Sequence, residues 1–204
     1  MVYSAMKLLV HTCCADCLLK MVDSLKNEFS EEVEITAYFY NPNIHPRAEY
    51  LTRLKAAQQI SEENKIELIV PDWSPREWFK IQNPSVLRTA PLDPPSQNAT
   101  DGQSKGEQFK NKTRCKNCWS LRLKKTFEYA HKKGFEMVSS TLVTSHYQNK
   151  EQIEEIGKKL EKEFEIEFLV PKVISKELKT SGFYKQNYCG CGYSLVEAWR
   201  EKFK

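Results

Sequence analysis

The sequence predicts an α/β fold, built as a single domain in which a parallel sheet is flanked by helices. Short apolar runs, rich in β-branched and aromatic residues, alternate along the chain with longer helical patterns. Parallel strands need helical crossovers of about this length, so the alternation indicates helices on both faces of the sheet. The 204 residues are enough for one domain, residues 1–204, with a sizeable core.

The first half of the chain gives two strand–helix pairs. A short apolar run predicts a strand at Lys7–Thr12, and a helical pattern follows at about 15–27. β-Branched and aromatic residues then predict a second strand, Glu34–Tyr40. Pro46 suits the first turn of a helix, which we expect to end near residue 64.

The second half continues the alternation. The predicted elements are the strands Ile66–Val70, Glu136–Val143 and Glu165–Val170, with helices at about 118–133 and 149–163. Pro71 and Pro171 close the two strands that precede them, and Gly134 marks the end of a helix. Residues 94–112 (PPSQNATDGQSKGEQFKNK) have no periodicity and almost no apolar residues, which predicts a mobile loop.

Composition excludes several classes of protein. Apolar residues make up 40% of the chain and charged residues 28%, as in ordinary globular proteins. No apolar run approaches the roughly 20 residues of a membrane helix, and the N-terminus resembles no export signal. The seven cysteines cannot all pair as disulfides. We therefore expect a cytoplasmic protein with reduced thiols and no membrane partner.

Positive charge is concentrated in one segment. Residues 105–133 contain ten Lys or Arg and two Glu, a local charge of +8 in a chain of net charge +4. A solvated helix face is one interpretation of this charge. Its position beside a cysteine motif favours a second interpretation, a surface that binds nucleic acid.

All seven cysteines lie in three close-spaced motifs, which are Cys13-Cys14-Ala15-Asp16-Cys17, Cys115-Lys116-Asn117-Cys118 and Cys189-Gly190-Cys191. The first follows the first strand, where parallel sheets bind ligands, and the second opens a predicted helix. Iron–sulfur clusters take four thiolates, and such wide spacing between motifs is typical of a cofactor in an active site. Structural zinc and buried apolar cysteines are the alternatives.

The spacing also suggests how two metals would share the thiols. Cys115 and Cys118 share a helical face, which assigns both to a cluster. Four ligands for a cluster leave three thiols over, which could hold a second metal together with Asp16. We expect adjacent Cys13 and Cys14 to point in different directions from a tight turn, so that the first motif would straddle both metals.

Five motifs together resemble one known family. HTCCADC, FYNPNIHP with EYLTR, RCKNCWSLRL, STLVTSHYQN and YKQNYCGCGYS occur in order and closely resemble the cobalamin-independent epoxyqueuosine reductases of the QueH type. The resemblance implies an adenine-nucleotide-hydrolase-like (HUP or Rossmann-like) fold. It also implies a [4Fe–4S] cluster and a nearby mononuclear iron held by the seven cysteines, with Asp16 as a possible further ligand.

The implied reaction is the two-electron reduction of an epoxide on the modified wobble base of tRNA, giving an alkene and water. It requires an electron donor such as ferredoxin or flavodoxin, and a proton donor, for which His11 and Asp16 are the candidates. The anticodon arm of the tRNA would lie on the basic segment and on the loop at 94–112.

Several further side chains are candidates for substrate contact. Asn41, Asn43 and His45 follow the second strand and could read the base or ribose, although a turn is the alternative. Arg53 and Arg122 could pair with phosphate, and Trp119 could stack on a base. Tyr184 and Tyr188 flank the last cysteine pair. For each of these residues, packing or a surface ion pair is the other interpretation.

Two other classes of function stay open. The first is a zinc-stabilised tRNA-binding module without redox activity. The second is an ATP-dependent tRNA sulfurtransferase on a related fold, which would need a glycine-rich phosphate loop after the first strand. His-Thr-Cys-Cys occupies that place, which argues against the use of ATP.

Overall fold

The computed structural model describes residues 5–29, 33–82, 112–145, 148–172 and 182–202. Five strands form one parallel sheet: β1 Met6–His11, β2 Val33–Tyr38, β3 Glu67–Ile69, β4 Met137–Ser140 and β5 Glu167–Phe168. Six α-helices flank it: α1 Ala15–Phe29, α2 Arg47–Glu63, α3 Pro75–Gln82, α4 Lys112–Lys133, α5 Lys150–Phe164 and α6 Gly192–Lys202. A 3₁₀ helix, Thr141–Thr144, directly follows β4.

The sheet order is β3-β2-β1-β4-β5, which is Rossmann-like. The register places His11 at the end of β1 beside Tyr38 of β2 and Ser140 of β4. Strand order reverses between β1 and β4, and the crevice beyond such a reversal is where open α/β sheets bind ligands. The first cysteine motif begins two residues after His11, directly in this crevice.

Close packing fixes the helices on the sheet. The central strand β1 is apolar and fully buried at Leu8, Leu9 and Val10, as expected for a strand covered on both faces. Over β5, helix α5 approaches so closely that a Cβ atom at Gly157 would overlap the ring of Phe168. The sheet therefore forms a rigid platform beneath the crevice.

The predicted fold class and all five strands are confirmed, with bounds that differ by up to three residues. The predicted end of the fourth strand is wrong, because the chain turns into the 3₁₀ helix after Ser140. Helices α3 and α6 were not predicted, since both are short and adjoin segments without a clear period. Lys112 belongs to α4 rather than to the predicted loop, and residues 94–111 lie outside the described residues. Among the described residues, no helix has the length and apolar character needed to span a membrane.

Candidate metal centre

Each of the three cysteine motifs lies at the N-terminus of a helix. Cys13 and Cys14 precede α1 and Cys17 lies in its first turn, while Cys115 and Cys118 lie in the first two turns of α4. Cys189 and Cys191 precede α6. Helix N-termini carry partial positive charge, which favours thiolates. All seven thiols are free, so none is lost to a disulfide.

The first motif forms a buried three-thiol group. The Sγ atoms of Cys13, Cys14 and Cys17 all lie within 4.8 Å of one another, close enough to hold one metal ion. The expectation that Cys13 and Cys14 point apart is therefore wrong. Helix α1 begins immediately after Cys14, as the hydrogen bond from Leu18 N to the Cys14 carbonyl (3.1 Å) shows, so Cys17 returns to the same face one turn later.

Hydrogen bonds within this group shift the pKa values of its thiols in opposite directions. Hydrogen bonds from Cys14 and Cys17 hold the pKa of Cys13 well below its usual range. The hydrogen bond between Cys17 and Cys13 raises the pKa of Cys17 to about 12. The hydroxyl of Thr141 accepts a hydrogen bond from Cys13 N (3.2 Å) and lies 3.4 Å from Cys13 Sγ. Thr141 belongs to the STLVTSHYQN motif, one of the five motifs of the family resemblance. No role was predicted for this residue from the sequence.

The other four cysteines make up a four-thiol group of two pairs, Cys115 with Cys118 and Cys189 with Cys191, in which no three Sγ atoms converge within 4.8 Å. The Sγ atoms of Cys189 and Cys191 are 3.6 Å apart. Burial, followed by the charges of Cys189 and Cys118, raises the pKa of Cys115 to about 11. A hydrogen bond from Cys189 lowers the pKa of Cys191 to about 7. Three thiols therefore converge on one point, while the other four lie as two pairs whose charges influence one another.

His11 lies between the strands, beneath both groups, and is fully buried. Arg122 Nε approaches His11 Nε2 (3.3 Å), which also lies 3.2 Å from the Tyr40 carbonyl oxygen, and His11 Nδ1 is hydrogen-bonded to Ser140 Oγ (2.9 Å). Burial, reinforced by the charge of Arg122, lowers the pKa of His11 to about 3. The imidazole is therefore neutral and already bonded on both nitrogens, which favours a positioning role.

Asp16 faces outward from the start of α1. Its carboxylate lies 2.9 Å from Lys20 Nζ and 4.0 Å from Lys185 Nζ. It is not part of the convergent group of thiols found among the described residues. The pairing with Lys20, which sequence reasoning missed, follows from their i, i+4 spacing on α1.

Two buried arginines, Arg53 and Arg122, lie near the cysteine motifs. Arg122 Nη2 donates to Asn41 Oδ1 (2.7 Å), and Asn41 Nδ2 donates to the Thr12 carbonyl (2.8 Å). Arg53 is bonded to Glu49 on the preceding turn of α2 (2.6 Å). Both guanidinium groups are 2% exposed, so they lie inside the protein rather than on a surface facing phosphate.

Arg53 holds the backbone of the last cysteine motif. It donates to the carbonyl oxygens of Tyr188 (3.2 Å) and Cys189 (3.3 Å). Gly190 adopts a φ of +109°, and a Cβ atom there would lie 3.0 Å from Arg53 Nη1. A side chain at position 190 would thus collide with the arginine that secures the turn.

The remaining candidates divide by accessibility. Trp119 is buried and donates to Gln148 Oε1 (2.7 Å), while Tyr188 is buried and donates to the His45 carbonyl (3.3 Å). Tyr184 is exposed and donates to Glu49 (2.6 Å). Asn43 Oδ1 and His45 Nε2 are buried without a hydrogen-bond partner among the described residues. A buried polar atom without a partner is costly and is often satisfied by a ligand.

The donor set fits iron and sulfide. Thiolates are the usual ligands of iron–sulfur clusters, and the four-thiol group has the required number. The indole Nε1 of Trp78 is a buried donor without a well-oriented acceptor in the described part of the chain. Burial raises the pKa of Cys118, and the charge of Arg122 and the indole of Trp78 oppose this rise. A spare N–H beside a thiol suits a sulfur-rich group, whose sulfurs accept hydrogen bonds.

The basic face of α4 lies on the surface. Lys124 pairs with Glu163 (3.1 Å) and Lys125 with Glu128 (3.3 Å), and all four side chains are substantially exposed. Exposed pairs of this kind are weak and leave the lysines available to a competing anion.

Comparison with known proteins adds an independent line of evidence. The family model "Epoxyqueuosine reductase QueH" matches residues 8–90 and 95–197. The protein of that name from Thermotoga maritima is 33% identical over 95% of this chain and 92% of its own length. Its counterpart from Dehalococcoides mccartyi is 32% identical over 95% and 94%, and that from Haemophilus influenzae is 31% identical over 96% and 75%.

Proposed function

The chain belongs to the epoxyqueuosine reductase QueH family, and from this premise we propose how its residues reduce an epoxide on tRNA. It is an oxidoreductase of queuosine biosynthesis and acts on tRNA. The observation that carries the proposal is the convergence of three free, buried thiols beyond the end of β1, with the other four cysteines also free.

The reaction consumes two electrons and two protons. Both C–O bonds of the epoxide break, a carbon–carbon double bond forms, and the oxygen leaves as water. A [4Fe–4S] cluster with a nearby mononuclear iron, when bound, would supply single electrons and a Lewis acid. The electrons would come from a small carrier protein such as ferredoxin or flavodoxin.

We assign the metals by the grouping of the thiols. Cys115, Cys118, Cys189 and Cys191 would hold the cluster, and Cys13, Cys14 and Cys17 would hold the single iron. Asp16 would complete that second set only if its carboxylate turned away from Lys20. The assignment rests on the mutual approach of the Sγ atoms in the first motif and on the 3.6 Å approach in the last.

The protein's own residues would position the substrate and deliver protons. Asn43 and His45, with buried atoms that lack partners in the described structure, would hydrogen-bond the modified base. Asp16 and Lys20 are partly exposed, and we propose that this pair passes a proton from solvent to the leaving oxygen. Neutral His11 would instead hold Arg122 in place.

The anticodon arm would approach along α4, on which Lys116, Lys124, Lys132 and Lys133 are exposed. Base chemistry on a tRNA loop requires the nucleotide to leave its stack, and phosphate contacts on α4 would hold the flanking strand. We place the enzyme in the cytoplasm, where thiols stay reduced.

The direct test is metal analysis of protein purified without oxygen. We expect a brown protein with about four sulfides and more than four irons per chain, given one cluster and one further iron. It should convert epoxyqueuosine in tRNA to queuosine when supplied with a one-electron donor. Stoichiometric zinc without sulfide would overturn the proposal and support the zinc-stabilised binding module.

A further inference from the structure

Arg122 is a buried cation whose bonded partners are both neutral. It donates to Asn41 Oδ1 (2.7 Å), and its Nε lies 3.3 Å from Nε2 of the neutral His11 ring. Within the described ranges, no carboxylate lies within the 4.0 Å that defines an ion pair with its side chain. Arg53, the other buried arginine near the thiols, has Glu49. A buried charge needs compensation, so Arg122 calls for negative charge from another source.

The two thiol groups lie on either side of Arg122. On α4, Cys118 precedes it by one turn and shares its face. On the other side, Asn41 joins Arg122 to the Thr12 carbonyl, one residue before Cys13.

We propose that Arg122 is the counter-cation shared by the two thiol groups. Its positive charge raises the reduction potential of the iron centre proposed above, the [4Fe–4S] cluster. This inference rests on the proposed function, because it requires that iron centre. Reduction adds one negative charge to a buried site, and a fixed positive charge close by favours the reduced form. Asn41 and His11 hold the guanidinium in place without cancelling its charge.

The experiment is an anaerobic redox titration of the metal-loaded protein without tRNA, followed by visible absorption and electron paramagnetic resonance. Arg122→Gln removes the charge, and Arg122→Lys retains it. Asn41→Asp keeps the arginine and places a carboxylate at the acceptor position of its 2.7 Å bond. Lys124→Gln is the control, since it removes one charge from an exposed position of the same helix.

We expect Arg122→Gln and Asn41→Asp to shift the midpoint potential in the negative direction. The shift should change the ratio of oxidised to reduced protein at a fixed potential about tenfold, or about 59 mV for a one-electron couple. The midpoint potential of Arg122→Lys should stay closer to that of the parent protein, and the midpoint potential of Lys124→Gln should equal it. A residue that only supported the fold would lower thermal stability and metal content but leave the potential of the remaining centres unchanged.

Unchanged potentials in Arg122→Gln and Asn41→Asp would overturn the inference, as would folded variants that hold no metal at all. If Arg122→Gln does not accumulate as folded protein, Asn41→Asp decides the question. Failure of the proposed function is distinguishable, because the parent protein would then contain no iron to titrate.

Discussion

Arg53 Nη1 donates to the carbonyl oxygen of Cys189 at 3.3 Å, across 136 positions of sequence. The same guanidinium lies over the ring of Tyr188, 5.1 Å from its centroid, and is bonded to Glu49. Helix α2 thus fixes the backbone of the last cysteine motif without touching its sulfurs. A side chain of α2 therefore fixes the backbone that carries the two thiols of that motif.

Substitution of Arg53 should therefore impair cluster assembly more than tRNA binding. Arg53→Gln removes the bonds to both carbonyl groups and leaves the nearly buried Glu49 without its partner, which is strongly destabilising for a buried pair. We expect most of the acid-labile sulfide to be lost. Tyr184→Phe is the matched control, since it removes only the outer bond to Glu49. If Arg53→Gln kept its sulfide but bound tRNA poorly, Arg53 would be a phosphate ligand, as first predicted from the sequence.

The sequence predicts the strands of the sheet better than it predicts the contacts of the site residues. Short apolar runs rich in β-branched and aromatic residues identified all five strands, with Pro71 and Pro171 closing two of them and Gly134 ending the helix before β4. The spacing of the cysteines identified a set of candidate metal ligands, of which the structure brings Cys13, Cys14 and Cys17 together. Such local signals need no knowledge of tertiary structure.

The partners of the side chains could not be predicted in this way. Arg53 and Arg122 sit in helical patterns that give each an exposed or a buried interpretation, and only packing decides between them. Their partners, Cys189 and Asn41, lie 136 and 81 positions away. The convergence of Cys13 with Cys14 depends on α1 beginning at Ala15, a boundary that sequence patterns do not define this sharply.

The contact between α5 and β5 predicts a loss of stability on Gly157→Ala. The added methyl group would overlap the buried ring of Phe168, so we expect destabilisation of about 1–3 kcal/mol from overpacking, partly offset by the better helix propensity of alanine. Thermal unfolding of the metal-loaded protein measures the effect. Phe168→Leu should restore stability when combined with Gly157→Ala. An unchanged or higher melting temperature for Gly157→Ala alone would show that the ring moves aside freely.

Neutralising Lys124 and Lys125 should weaken tRNA binding. Each phosphate contact releases counterions, so the slope of log K against log salt should fall by roughly 1 to 2 for the pair. The measurement is affinity for the isolated anticodon arm at several salt concentrations. Lys26→Gln with Lys55→Gln is the matched control, because these exposed lysines lie on α1 and α2. Equal effects of the two pairs would mean that the α4 lysines contribute only to overall charge.

Substitution of single cysteines should distinguish the two proposed metals, because each metal is assigned to different thiols. Cys115 belongs to the four-thiol group, and Cys115→Ala should therefore lose the sulfide and most of the visible absorption. Cys17 belongs to the three-thiol group, and Cys17→Ala should keep both but lose about one iron per chain, in keeping with a single ion there. Iron and sulfide analysis of anaerobically purified variants makes the measurement. Loss of sulfide from Cys17→Ala would instead place the first motif on the cluster.

Asp16→Asn completes this comparison, because the carboxylate lies beside the three-thiol group but bonds to Lys20. If Asp16 acts only with Lys20 in proton delivery, the variant should keep its full iron and sulfide and lose epoxide reduction. If Asp16 turns to become a ligand, about one iron should be lost together with activity. A variant with full iron and normal turnover would remove Asp16 from both roles. The proton would then have to reach the leaving oxygen from Lys20 or from solvent.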